Sequence, residues 1–99
     1  MGIEKIRTKE VEQLMDAFLK MENKDELFSF LVDVCTIREM EEISQRLEVA
    51  RQLANKTPYA EIQKATGASA TTIARVSKCL NYGEGAYPLV LERLGLIGK

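Results

Sequence analysis

The 99-residue chain contains no histidine, and its two cysteines, Cys35 and Cys79, form no CxxC pair. Those absences remove a large share of chemistry. Most zinc sites, imidazole acid–base catalysis and Ser-His-Asp triads each need a residue type that is missing. No metal site and no catalytic residue is therefore expected. No apolar run approaches the roughly 20 residues that cross a bilayer. The stretch MGIEKIRTKEVEQL is charged and amphipathic and lacks the apolar segment of a signal peptide. Met1-Gly2 opens like a myristoylation signal, but Lys5 to Thr8 do not complete one. A cytoplasmic location with no membrane partner is expected. No segment alternates apolar and polar residues as a half-buried strand would, and no repeat or low-complexity tract is present.

What is present reads as one small globular domain over residues 1–99. The hydrophobic fraction of 45% and the charged fraction of 29% separate it from disordered chains. A chain this short buries a modest share of its surface, so a core shared with a second copy would help it. Net charge is −1, but its distribution is uneven. Residues 1–56 hold nine basic against twelve acidic side chains, whereas residues 57–99 hold five against three. That mild asymmetry runs in the direction a DNA-binding carboxy-terminal half needs.

Helical periodicity dominates. Val11, Leu14, Met15 and Phe18 predict an amphipathic helix from about Ile3 to Met21. Asn23 with Glu26 forms a capping-box pattern before a second helix that is apolar almost all round, through Leu27, Phe28, Phe30, Leu31, Val32 and Val34. Such a helix is buried on more than one side, which favours an interface with another subunit. Thr36 and Glu39 form a second capping box, opening a long helix to about Asn55. Its stripe is Met40, Ile43, Leu47, Ala50 and Ala54, either a core face or a dimer seam. Residues 1–56 thus read as dimerisation helices. Both cysteines lie on apolar stretches and are expected to be small buried hydrophobes, with a redox switch as the alternative.

Residues 57–82 carry the most specific pattern. Thr57 is expected to cap a short helix with Pro58 in its first turn, running from Tyr59 to Thr66. Gly67 ends it, and Ser69 caps a helix from about Ala70 to Asn81. Ile62, Ala68, Ile73 and Val76 fall where two such helices pack together. This is the spacing of a helix-turn-helix. The opposite face of the second helix, Thr71, Ala74, Arg75 and Lys78, is slim and polar, as a major groove about 12 Å wide requires. Lys64, Arg75 and Lys78 are the nearby phosphate neutralisers. Gln63 departs from the small residue usual at its position. Residues 83–99 add a loop and a last short helix from about Pro88 to Leu94.

From Thr36 onward the chain resembles the Trp repressor superfamily, and especially its small Trp-repressor-like members of the YerC/YecD group. The resemblance rests on RLEVARQLANKTPYAEIQKATGASATTIARVSKCLN, and most specifically on TGASATTIARVSKCL. It implies an all-α, intertwined helical homodimer whose two helix-turn-helix heads read double-stranded DNA at a palindromic operator. Ala70, Thr71 and Ala74 then match positions that approach base edges, beside the cap Ser69. The resemblance also implies a corepressor pocket. Arg46 and Arg75 match the arginines that sandwich a flat ring, Thr36 and Thr72 match pocket threonines, and Cys79 matches a pocket serine. Where the Trp repressor has glycine after the second arginine, this chain has Val76, which takes up ring space. A small amino-acid corepressor such as histidine therefore ranks ahead of tryptophan, and no effector at all is an equal alternative.

The leading expectation is a dimeric DNA-binding repressor. The alternative is a helical protein–protein interaction module that does not bind DNA. An enzyme would have to rest on Glu39, Glu41, Glu42 and Glu48, which read as a solvated helix face.

Overall fold

A computed structural model describes residues 2–97. Its elements are a 3-10 turn, Ile3–Ile6, followed by α1 (Lys9–Lys20), α2 (Lys24–Val34), α3 (Ile37–Ala54), α4 (Tyr59–Thr66), α5 (Ala70–Tyr82) and α6 (Ala86–Arg93). The described residues contain no strand. None of their helices is long and apolar enough to cross a membrane. The chain divides into two compact units, Met1–Met40 and Glu41–Lys99.

In the first unit, local capping chemistry sets the helix ends. Thr8 Oγ1 accepts from the Val11 amide at 3.2 Å, so α1 begins at Lys9 and not at Ile3. The four residues Ile3–Ile6 form the separate 3-10 turn, which ends at Arg7, whose guanidinium pairs with Glu12. Asn23 Oδ1 accepts from Glu26 N at 2.9 Å, as its capping pattern predicts. The Glu26 carboxylate reaches one residue further back than expected, to the Glu22 amide. Thr36 and Glu39 make both reciprocal capping bonds, at 3.0 and 2.8 Å. Phe18 and Phe30 meet edge to face, with ring centroids 5.7 Å apart.

None of the described residues in this unit is buried. Phe28 is 58% exposed, and Ile3, Ile6, Leu19, Val32, Val34 and Ile37 are exposed with it. The expectation that α2 is covered on more than one side is thus not met within the single chain. The same holds for the cysteines, and it corrects their sequence reading. Cys35 is only half-buried and Cys79 is exposed. Cys35 sits at the carboxy-terminal cap of α2, where the chain leaves the helix. Cys79 faces a cleft described below.

The second unit holds every buried side chain among the described residues. Val49 and Ala50 of α3, Ile62 of α4, Ala68 of the turn, Ile73 and Val76 of α5 and Leu91 of α6 form one cluster. Leu47, Leu53, Ala54, Tyr87 and Ile97 pack around it. The predicted stripe of α3 is therefore split. Ala50 enters the core and Leu47 flanks it, whereas Ile43 remains 54% exposed.

α3 ends on Lys56, a left-handed residue with φ 68°. The Thr57 amide reaches back to the Gln52 carbonyl at 2.9 Å, and the Lys56 amide to Leu53 at 3.0 Å. α6 ends in the same manner on Gly95, with Leu96 N donating to the Leu91 carbonyl at 2.9 Å. Glycine is the residue that fits such a cap without strain. At α4 the sequence reading also needs correction. Pro58, not Thr57, occupies the cap position, with no side-chain cap bond. Thr57 instead closes the end of α3.

Two stability predictions follow from these ends. Replacing Lys56→Gly relieves the left-handed strain and raises unfolding free energy by about 0.5–1 kcal/mol in urea denaturation. Glu48 accepts two bonds from Arg51, at 2.9 and 2.6 Å, and one from Gln52 at 2.8 Å. The hydrogen bonds from Arg51 and Gln52 hold its carboxyl down to about 2. A depressed carboxylate stabilises the fold above its ordinary value of 4.5, and that stabilisation fades as pH falls toward 2. Because the pair is solvent-exposed, Glu48→Gln should cost only about 0.5 kcal/mol at neutral pH. The difference from wild type should shrink steadily below pH 4.5.

Candidate DNA-facing surface and adjoining cleft

The turn between α4 and α5 is built by three features. Gly67 adopts φ 76° and ψ 3°, a left-handed conformation, and its amide donates to Gln63 O at 2.9 Å. The Thr66 hydroxyl donates to the Ile62 carbonyl at 2.7 Å and accepts from the Ala68 amide at 3.1 Å. Gln45 of α3 donates its side-chain amide to the Thr66 carbonyl at 3.1 Å, tying the turn to the longer helix. Ser69 then caps α5 by accepting from Thr72 N at 3.1 Å. Gln63 is exposed, which explains why its bulk is tolerated where a small residue is usual.

α5 is two-sided. Ile73 and Val76 are buried in the cluster beneath. Ser69, Ala70, Thr71, Ala74, Arg75 and Lys78 are exposed, as is Lys64 on α4. No carboxylate occurs between Ser69 and Gly83. The ion pairs found among the described residues do not include Lys64, Arg75 or Lys78. The seven residues that the sequence reading assigns to DNA therefore all lie at the surface, three of them as open cations. Ser69 spends its hydroxyl on the helix cap.

Beside this face lies a cleft of about 330 Å³ between α3, α5 and α6. Arg46, Thr71, Thr72, Arg75, Val76, Cys79 and Tyr87 line it. Five of the six pocket residues expected from sequence are here. The sixth, Thr36, lies in the first unit, where its hydroxyl is engaged in capping α3. Tyr87 went unforeseen, because only the folded position of α6 brings it to α5. Burial, followed by the Cys79 thiol, raises its phenol pKa, against the opposing effect of Arg46. The Thr72 hydroxyl accepts from Ser69 Oγ at 3.1 Å, and Arg46 has Glu42 at 3.9 Å on its own helix.

The comparisons with known proteins fit this arrangement. The family model described as Trp repressor protein matches residues 9–95. The chain belongs to the Trp repressor family. The uncharacterized protein YerC of Bacillus subtilis strain 168 is 46% identical over 94 residues, covering 95% of this chain and 90% of that protein. This relationship makes the chain a YerC-type, Trp-repressor-like protein. A crystal structure of a candidate Trp repressor from Staphylococcus aureus superposes with a TM-score of 0.92 at 39% identity, covering 100% of this chain and 99% of the other. A TrpR-like protein from Eubacterium eligens ATCC 27750 gives a TM-score of 0.91 at 47% identity, covering 97% and 99%. The family is one of DNA-binding transcription regulators, not of enzymes. Two of the four glutamates that an enzyme reading would need have structural partners. Glu39 caps α3 and Glu48 holds Arg51. No group of three or more acidic or cysteine side chains among the described residues could hold a metal ion.

Val76 is only 3% exposed and belongs to the core as well as to the cleft. Trimming it therefore affects two properties at once. Val76→Ala should cost about 2 kcal/mol of stability by thermal or urea unfolding, from lost burial and the cavity left behind.

Proposed function

We propose that this chain is a homodimeric, sequence-specific transcription repressor whose α4–turn–α5 segment acts as a helix-turn-helix. The observation that carries this reading is the exposed face of α5, slim, free of carboxylates and bearing the open cations Arg75 and Lys78. In the proposed complex Ala70, Thr71 and Ala74 approach base edges, with the alanine methyls suited to thymine and the Thr71 hydroxyl able to donate or accept. Lys64, Arg75 and Lys78 neutralise phosphates. Family membership supports DNA as the partner. The homodimer draws support from the first unit, whose apolar side chains are left open in the single chain. Two heads related by a two-fold axis would read a palindrome with half-sites about one helical turn apart. The whole chain would then act as one Trp-repressor-like domain, in the cytoplasm where its DNA is.

The cleft is the seat proposed for an effector, the small amino-acid corepressor that the resemblance implies. With Val76 in its floor, histidine ranks ahead of tryptophan. A second reading, a helical interaction module, is favoured by the same open apolar side chains of α1 and α2.

Selection of fragmented genomic DNA on the purified protein separates the two. The regulator enriches a palindrome, and the interaction module enriches nothing. For the enriched site, log affinity falls linearly with log salt. Lys78→Gln, which removes one cation from each subunit, should lower that slope by about 2. An unchanged slope would return Lys78 to the plain surface.

A further inference from the structure

The outer face of α5 can read bases only if the helix is held at a fixed angle, and burial alone does not set that angle. α3 grips the α4–turn–α5 segment through Val49 and Ala50, which share the buried cluster with Ile62, Ile73 and Val76. Apolar contact is non-directional and leaves freedom to tilt about the point of contact. One turn earlier on α3, four residues before Val49, stands Gln45. Its side-chain amide donates to the Thr66 carbonyl at 3.1 Å in a partly buried bond. Thr66 is the last residue of α4, so its carbonyl has no partner within that helix. Gln45 thus adds a second, directional attachment at the turn itself. Around this bond α3 and α4 are separated by an open cleft of about 390 Å³, lined by Glu41, Ser44, Gln45, Glu48, Ala65 and Thr66. No other side chain of that lining is free to donate to the carbonyl. Glu41 and Glu48 are carboxylates, which only accept. The Ser44 hydroxyl donates to the Glu41 carbonyl, and the Thr66 hydroxyl to that of Ile62.

We propose that Gln45 is a positioning residue for operator recognition, whose amide fixes the pitch of α5 through the Thr66 carbonyl. The proposal rests on the reading of α4–turn–α5 as a helix-turn-helix and adds a residue that touches no DNA. The two kinds of DNA contact differ in what they tolerate. The short side chains of Ala70, Thr71 and Ala74 meet base edges only when placed to within about 0.5 Å. Lys64, Arg75 and Lys78 reach phosphates on long flexible stems and absorb a small tilt. Loss of the Gln45 donor therefore weakens operator binding and spares binding to unrelated DNA. Water entering the open cleft replaces the lost partner of the carbonyl, so the fold itself is little affected.

The test measures binding of the full chain to the selected operator and to a scrambled duplex of the same length, together with thermal unfolding. Two variants keep the reach of the side chain and remove its donor, Gln45→Met without charge and Gln45→Glu with it. Each should lower the ratio of operator to scrambled affinity about 10-fold, the loss that one wrong base pair ordinarily causes. Gln45→Met should leave scrambled-duplex affinity within about 2-fold. It should also leave the melting temperature within about 4 °C of wild type. The charge of Gln45→Glu weakens both duplexes alike and cancels in the ratio. A ratio that either variant leaves unchanged overturns the inference. A ratio lost only together with a larger fall in melting temperature makes Gln45 a part of the fold and overturns it too. Wild-type protein that selects no operator removes the regulator reading and the inference together.

Discussion

Ile62 of α4 and Ile73 and Val76 of α5 share one buried apolar cluster beneath the Gly67 turn, and Val49, Ala50 and Leu91 close it from α3 and α6. Each large side chain there gains about 1.5–3 kcal/mol from leaving water. The cluster takes up Ile73 and Val76, the fully buried apolar side chains of α5. What remains for the outer side is small, polar and cationic. The orientation of Thr71, Ala74, Arg75 and Lys78 is thus a by-product of where Ile73 and Val76 must go. The turn adds directional control that burial lacks, through the left-handed Gly67 and the two bonds of the Thr66 hydroxyl.

The two units solve the burial problem to different degrees. Fifty-nine residues, Glu41–Lys99, contain a closed core, and the forty before them contain none among those described. The three α-helices that start in the first unit are nevertheless capped at their N-termini, with Thr8, Asn23 and Thr36 each bonded to an amide three residues on. Its helices are therefore locally well specified while their apolar faces remain open. Local specification and tertiary burial are separate properties, and this unit has the first without the second inside one chain.

The sequence exposes most of this arrangement, because its signals are local. Capping boxes, the Gly67 stop and the Ser69 cap are short-range chemistry, and the burial of Ile62, Ala68, Ile73 and Val76 follows from their spacing. The errors arose where the decisive partner is distant or the residue is atypical. Lys56 does the work of a glycine and gives no compositional warning. Thr57 has the right residue type for an N-cap, yet its amide is claimed by Gln52. The cysteines sit on apolar stretches, but helix direction leaves Cys79 at the edge of a cleft. Tyr87 lies beyond a loop of breaker residues, so no periodicity connects it to Arg46 or Arg75.

Arg75 belongs both to the open face of α5 and to the lining of the cleft. A single guanidinium cannot give its full set of donors to two anions without compromise. Any occupant of the cleft that engages it must alter what it offers outward, in either direction. Linkage then makes the relation mutual, since a ligand that changes the affinity of the outer face has its own affinity changed by the same factor. A coupling of this kind would need no rearrangement of helices and no relay of side chains. It would be set by how one five-donor fork divides its hydrogen bonds, so its strength would be tuned by substitutions that touch neither ligand but fix the rotamer of one arginine.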